Sequence, residues 1–206
     1  MKVILVNGSP KKEGCTYTAL CEVAGSLNLN GIETEIFHIG KEAINGCMAC
    51  GGCSKTGYCI HGEKVKEFLE LAKDADGFVF GSPVHYAAAS GIITSFMDRA
   101  FYSGSSLLKF KPAAAVCSAR RAGTTAALEQ INKYFTINNM PVVSANYWTM
   151  VHGTNGDEVK KDQEGMQIMR TLGTNMAWLL KCIKAGEEKG ISKPVSEEKI
   201  KTNFIR

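Results

Sequence analysis

Lys2-Val3-Ile4-Leu5-Val6-Asn7-Gly8-Ser9-Pro10-Lys11-Lys12-Glu13-Gly14-Cys15-Thr16-Tyr17-Thr18 carries the pattern that decides the fold. The run from Lys2 to Asn7 is almost wholly apolar, as a strand buried on both faces of a parallel sheet must be. It breaks at Gly8 into a loop of small hydroxyl residues with two lysines, and a helix is expected from about Thr16 to Leu29, stopped by Asn30-Gly31. A strand feeding a helix through such a loop offers free N–H groups and a positive dipole end, which suits a phosphate. The G-K-[ST] ending of a nucleotide-phosphate loop is missing, and so is G-x-G-x-x-G. The plain alternative is a strand-to-helix turn with Ser or Thr as the N-cap.

Working outward, strand and helix patterns alternate. Strands are expected at Ile32–Ile39, Gly77–Gly81 and Ala113–Ser118, with a fifth opening at Pro141–Ser144. Helices are expected at Glu63–Lys73, Gly91–Phe101 and Thr124–Asn138, and a long amphipathic one at Asp157–Ala185. Five strands separated by helices predict an α/β fold with a doubly wound parallel sheet and right-handed crossovers. Residues 1–186 read as one domain with a cysteine loop at 44–60, and 187–206 as a polar tail.

The 206 residues are 45% hydrophobic and 21% charged, with a net charge of +4, enough for one substantial core. The lysines are scattered without a basic run, which argues against nucleic acid as a partner. No apolar stretch approaches membrane-span length, and Met1 leads straight into a strand, so no signal region and no membrane association are expected. A cytoplasmic location follows as the expectation, and there cysteines serve as ligands, redox groups or core fillers rather than disulfides.

Four of the eight cysteines crowd together: Cys47, Cys50, Cys53 and Cys59, spaced C-x2-C-x2-C-x5-C. Soft thiolates converging from one glycine-rich segment suit a compact iron–sulfur cluster. Three other readings stand beside it. Structural zinc usually takes two separated pairs, disulfides suit secreted chains, and the thiols can also be unligated redox groups. Cys21, Cys117 and Cys182 read as buried small hydrophobes.

Ligands of open parallel sheets gather beyond the carboxyl ends of the strands. Two further strand ends carry polar, glycine-punctuated loops: Gly81-Ser82-Pro83-Val84-His85-Tyr86, and Ser118-Ala119-Arg120-Arg121-Ala122-Gly123-Thr124. Tyr86 offers a flat face for a ring, the arginines offer positive charge, and His85 is a titrating group that serves the ring or simply sits at the rim. These loops, with Gly8-Ser9-Pro10-Lys11 and Thr16, resemble the NADPH-dependent FMN reductase branch of the flavodoxin-like superfamily. With the four cysteines after the second strand, the chain is most similar to the iron–sulfur flavoproteins of anaerobic microbes, over nearly all of residues 1–185.

The resemblance implies a flavodoxin-like five-stranded sheet in the order 2-1-3-4-5, bound FMN, and a [4Fe–4S] cluster on Cys47, Cys50, Cys53 and Cys59. It also implies a homodimer or homotetramer. Carried across, Ser9, Lys11, Thr16 and Thr18 would hold the FMN phosphate, with Cys15 and Tyr17 adding backbone N–H groups or packing. Pro83, Val84, His85 and Tyr86 would line the ribityl chain and ring, and Ser118, Arg121 and Gly123 would bound its far edge.

Flavin supplies the redox chemistry, so no general base and no catalytic side chain are assigned. Asp98-Arg99 reads as a structural ion pair or cap, and Thr94–Phe101 as core or interface rather than active site. Asn146–Gly153 reads as a cover for the flavin or as an aromatic packing surface. The leading function is an electron-transfer flavoprotein linking a ferredoxin-like donor, a cluster, FMN and an acceptor such as a quinone. The alternatives are a cluster-free NAD(P)H-dependent FMN or quinone reductase, and a flavodoxin-type carrier.

Overall fold

β1 (Lys2–Asn7) lies inside a parallel sheet, hydrogen-bonded to β2 (Glu33–His38) on one side and β3 (Gly77–His85) on the other. In the computed structural model, which describes residues 1–198, 200–202 and 204, β3 pairs in turn with β5 (Ala113–Ala119), and β5 with β6 (Met150–His152). A two-residue strand, β4 (Ala88–Ala89), folds back on the end of β3 as an antiparallel hairpin. The full order is β2-β1-β3-β5-β6. With the hairpin strand set aside, that is the expected 2-1-3-4-5.

The alternation of side chains along β1 explains the two-sided core. Val3 and Leu5 face α1 (Cys15–Leu29) and α7 (Gln163–Glu188), in a layer with Val79, Val116 and Met169. Ile4 and Val6 face the opposite layer of α3 (Glu63–Lys73), α4 (Gly91–Leu108) and α5 (Thr124–Ile137). There Phe68 packs against Phe37, Phe78, Phe80 and Phe96 at centroid distances of 5.3–6.0 Å. Each such ring contributes about 1.5–3 kcal/mol by burial. Cys117 is fully buried in β5, and burial pushes its thiol up to about 12, so it stays neutral and out of the chemistry.

Three expectations are corrected. The fifth strand does not run from Pro141. Val142 makes only an isolated bridge to Ala113, and the chain then bulges away and re-enters the sheet at Met150. Over the gap the Thr149 hydroxyl donates to the Ala115 carbonyl at 2.6 Å, taking the place of a ladder N–H. The long helix is broken into α6 (Gly156–Val159) and α7, because Asp162 starts a new helix by accepting from Gly165 N at 2.9 Å. Cys182 is exposed and Cys21 only half-buried, so neither is the buried hydrophobe expected; Cys117 alone is. Elements also run longer than expected, α7 to Glu188 among them. β3 continues to His85 and α4 to Leu108, the helix passing through a kink at Gly104.

Candidate redox site at the strand ends and the cysteine loop

Asn7, the last residue of β1, is fully buried and builds the loop that follows. Its Nδ2 donates to the Lys12 carbonyl at 3.1 Å and reaches the Lys11 carbonyl at 3.5 Å, while its Oδ1 accepts from Ser9 N at 3.1 Å. Ser9 Oγ accepts from Lys11 N at 3.2 Å, and His38 Nε2 at the end of β2 lies 2.9 Å from the Ser9 carbonyl. The loop is thus fixed from its inner side, with Lys11 and Lys12 left exposed. At its end α1 starts from Gly14 with no side-chain cap. The N–H groups of its first turn therefore lack the partner that a Ser or Thr cap would give, and the simple N-cap reading does not hold.

Thr16 and Ser118 meet here, their hydroxyls 2.8 Å apart, with both residues buried. Thr18 Oγ1 donates to the Gly14 carbonyl at 3.1 Å, and Cys15 Sγ to the Gly153 carbonyl at 3.5 Å. These side chains lock the loop to β5 and to the segment after β6. Burial raises the Cys15 thiol. Tyr17 is raised chiefly by its hydrogen bond to Cys21.

The end of β3 closes over the same place. Ser90 Oγ donates to the Gly8 carbonyl at 3.0 Å and Ser90 N to Ser82 Oγ at 3.0 Å, while Gly8 N donates to the Gly81 carbonyl at 2.8 Å. A Cβ at Gly8 would stand 2.8 Å from that carbonyl oxygen, so only glycine lets the strand ends approach this closely. The β3–β4 hairpin then turns through Tyr86 (φ 51) and Ala87 (φ 61). Two successive positive φ angles are the mark of a turn that Asn-Gly normally fills, and each costs about 1–3 kcal/mol at other residues. The strained turn holds Tyr86 fully in solvent, 107% exposed, with His85 also exposed. That leaves an aromatic face presented at a strand end, of the kind on which a flat ring can stack. Gly123 caps α5 at φ 92 and presses on the hairpin, its missing Cβ only 2.5 Å from Ala87 Cα. Arg120 and Arg121 stand exposed beside it.

The four cysteines lie elsewhere, beside α4. Cys47, Cys50, Cys53 and Cys59 all line one small recess, partly open to solvent, shared with Arg99, Tyr102 and Ser103. The short helix α2 (Gly52–Thr56) carries Cys53, and the loop takes positive φ at Ala49, Gly51 and Gly57. All eight cysteines are unpaired. Among the described residues no three His, Cys, Asp or Glu side chains converge on one metal position. Four thiols lining one recess suit a cluster in which each sulfur binds its own iron.

The Asp98-Arg99 stretch, expected to be a structural ion pair or cap, forms no salt bridge among the described residues, and Arg99 turns to the cysteine loop instead. It is 4% exposed and donates through Nε to the Asn45 carbonyl, through Nη2 to Gly46 at 3.0 Å, and through Nη1 to His61 at 2.9 Å and Cys59 Sγ at 3.6 Å. Asp98 instead accepts from the Tyr134 hydroxyl. So α4 is not mere core: its first residues pack against the Gly8 loop and its middle reaches the cysteines. From Ser90 to Arg99 the rise along a helix is about 13 Å.

The structure brings Ser9, Lys11, Cys15, Thr16, Tyr17, Thr18 and Ser118 together at the first loop, and gathers Val84, His85, Tyr86 and Gly123 at the second. Sequence reasoning missed Asn7, His38, Ser90 and Arg99. For Arg99 the available signal was an arginine in register with Phe96, on a helix face otherwise apolar. Of the 146–153 stretch, Gly153 meets Cys15. Tyr147 and Trp148, exposed and edge-to-face at 4.8 Å, line a separate recess with Leu128 and Val142 of the α5 side.

A family model described as NADPH-dependent FMN reductase matches residues 1–155. An iron–sulfur flavoprotein of Methanocaldococcus jannaschii is 34% identical over 192 residues, covering 89% of this chain and 100% of that one. A second from the same organism is 31% identical and covers 82% and 92%. The iron–sulfur flavoprotein of Methanosarcina thermophila is 27% identical and covers 92% and 100%. Among solved structures, RosB with a bound 8-demethyl-8-formylriboflavin-5'-phosphate intermediate superposes with TM-score 0.68 at 14% identity, covering 100% of this chain and 93% of that one. An archaeal flavodoxin gives 0.61 at 17%, covering 88% and 99%. These two likenesses establish the flavodoxin-like fold. With a family match over residues 1–155, which takes in all three strand-end loops, and relatives alike over most of their length, the chain belongs to the NADPH-dependent FMN reductase family and groups with its iron–sulfur flavoproteins.

Proposed function

We propose that this flavin-dependent oxidoreductase is an electron-transfer protein holding FMN at the strand ends and a [4Fe–4S] cluster on Cys47, Cys50, Cys53 and Cys59. Electrons would pass from a reduced donor, a ferredoxin-type protein or NAD(P)H, through both groups to an acceptor such as a quinone. The observation that carries this reading is the shared recess of the four thiols, in a chain that also builds a phosphate-ready loop and an aromatic platform.

When bound, FMN accepts a hydride or an electron pair and releases electrons singly, which lets it work beside a one-electron cluster. The chain's own residues do the rest. The uncapped start of α1 and Lys11 hold the phosphate, and the Thr16–Ser118 pair fixes that loop to β5. Tyr86 supplies a face for the ring, and Arg120 and Arg121 supply positive charge that favours electron-rich states of a bound ring. We also assign an oligomeric state, homodimer or homotetramer. The exposed Tyr102 and Met48 at the cysteine recess support it, as apolar surface that a second subunit would cover.

An anaerobic reductive titration tests the reading. Uptake of about three electrons per chain, two by flavin and one by cluster, is expected. Uptake of two, with flavin bleaching alone, would instead support the cluster-free NAD(P)H reductase that the family description allows. For the phosphate site, Lys11→Ala should weaken FMN binding about 10- to 100-fold, the worth of a charge-assisted contact of about 1–3 kcal/mol. Riboflavin, which lacks the phosphate, should bind both proteins equally; equal losses for the two flavins would remove Lys11 from the phosphate site.

A further inference from the structure

Arg99 places a positive charge inside the protein that no carboxylate neutralises. Among the described residues every salt bridge lies elsewhere, and the neighbouring Asp98 is taken by Tyr134. Three of its four hydrogen bonds go to main-chain carbonyls and the fourth to Cys59 Sγ. Carbonyl dipoles satisfy the N–H groups but bring no compensating charge, and a buried cation without an anion costs several kcal/mol. The guanidinium lines a second recess with Glu42, Glu63, Glu67 and Glu70, none of which pairs with it, whereas in the thiol recess it already bonds Cys59 Sγ, and that contact points to the thiol recess as the place of the anion it lacks.

We propose that Arg99 is the built-in counter-charge of the cluster and the clasp of its loop, a positioning residue that biases the site toward accepting an electron. This rests on the cluster reading above. A cluster held by four thiolates is an anion, and the one electron delivered by the reduced donor makes it more negative without requiring a proton. A fixed cation and an N–H···S bond at Cys59 stabilise the reduced form more than the oxidised one. The clasp follows from the carbonyls chosen. Asn45 and Gly46 precede the first cysteine and His61 follows the last, so one side chain ties both ends of the loop to α4. Lysine at this position would keep the charge but lose the planar fork that spans those carbonyls.

The test compares wild type, Arg99→Gln and Arg99→Lys, each with FMN and reconstituted anaerobically with ferrous iron and sulfide. Cluster reduction is followed by spectroelectrochemical titration, and the iron-free proteins by hydrogen exchange over residues 52–66, spanning α2 and the first turn of α3. Arg99→Gln should make the cluster harder to reduce by at least about tenfold, or 59 mV for one electron. Arg99→Lys should keep most of the wild-type potential. Both variants should exchange faster over 52–66 in the iron-free state, with the rest of the chain unchanged.

A fully loaded Arg99→Gln protein with the wild-type potential would overturn the counter-charge. Should that variant take up no iron, the exchange decides: faster exchange confined to the loop region supports the clasp, and unchanged exchange overturns it. Wild-type protein that takes up no iron would sink the cluster reading and the counter-charge together. The clasp would then stand or fall on the exchange alone.

Discussion

Cys50→Ala is expected to yield a yellow protein that still holds FMN but has lost its cluster, with iron falling from about four per chain to well below one. Cys50 is exposed, and the recess it lines lies beside the middle of α4, away from the loop that Asn7 builds. Its removal therefore costs little packing, while a four-thiolate site loses one of its irons' protein ligands. Thermal stability of the iron-free protein should match the wild type within about 0.5 kcal/mol, as for an ordinary surface substitution. Iron analysis, the flavin-to-protein ratio and the visible spectrum measure all three. Parallel loss of FMN would show that the two sites do not form independently.

Gly123→Ala should produce the largest effect at the flavin end. At φ 92 any side chain is strained, by roughly 1–2 kcal/mol. Beyond this, the added Cβ would meet Ala87 Cα at 2.5 Å, a backbone atom that moves only if the whole Tyr86–Ala87 turn moves. The expected result is about 2–4 kcal/mol of lost stability, with FMN affinity reduced more than about tenfold. Gly31→Ala is the control. Gly31 has a similar φ of 78 and nothing within 4 Å of its would-be Cβ, so it bears the backbone strain alone and should leave FMN binding untouched. Equal losses in the two variants, with flavin binding intact in both, would mean that the hairpin contact is not part of the flavin site.

The readable parts of this chain were those where local sequence and global fold agree. β1 and α1 announce themselves by an unbroken apolar run and a helical stripe ended by Asn30-Gly31, and α3 by its periodicity and first-turn Glu63. The strand-end loops showed in small and polar residues placed where parallel sheets bind ligands. What was not legible depends on distant partners. The edge strand starts late because the Thr149 hydroxyl donates to the Ala115 carbonyl where a ladder N–H would, which no local pattern encodes. The break before α7 turns on Asp162, whose side chain also accepts from His152 N at 2.7 Å, bonding β6 to the helix start.

Within the site, the cysteine spacing was visible, but its partner was not. Arg99 lies 40 residues from Cys59, and beside Asp98 an ion pair is the natural local guess. Only the packing of α4 against the loop shows that the guanidinium serves the cysteines. Asn7 was similarly hidden, since a polar residue closing an apolar strand gives no hint that it will organise the next five positions.

One chain is expected to carry both a flavin and a cluster, and a single preparation decides it. Protein purified without oxygen would be analysed for flavin, iron and acid-labile sulfide per chain. About one FMN, four irons and four sulfides per chain are expected. One FMN with neither iron nor sulfide, after the same exclusion of oxygen, would contradict it and leave a plain flavin reductase with a thiol-rich loop.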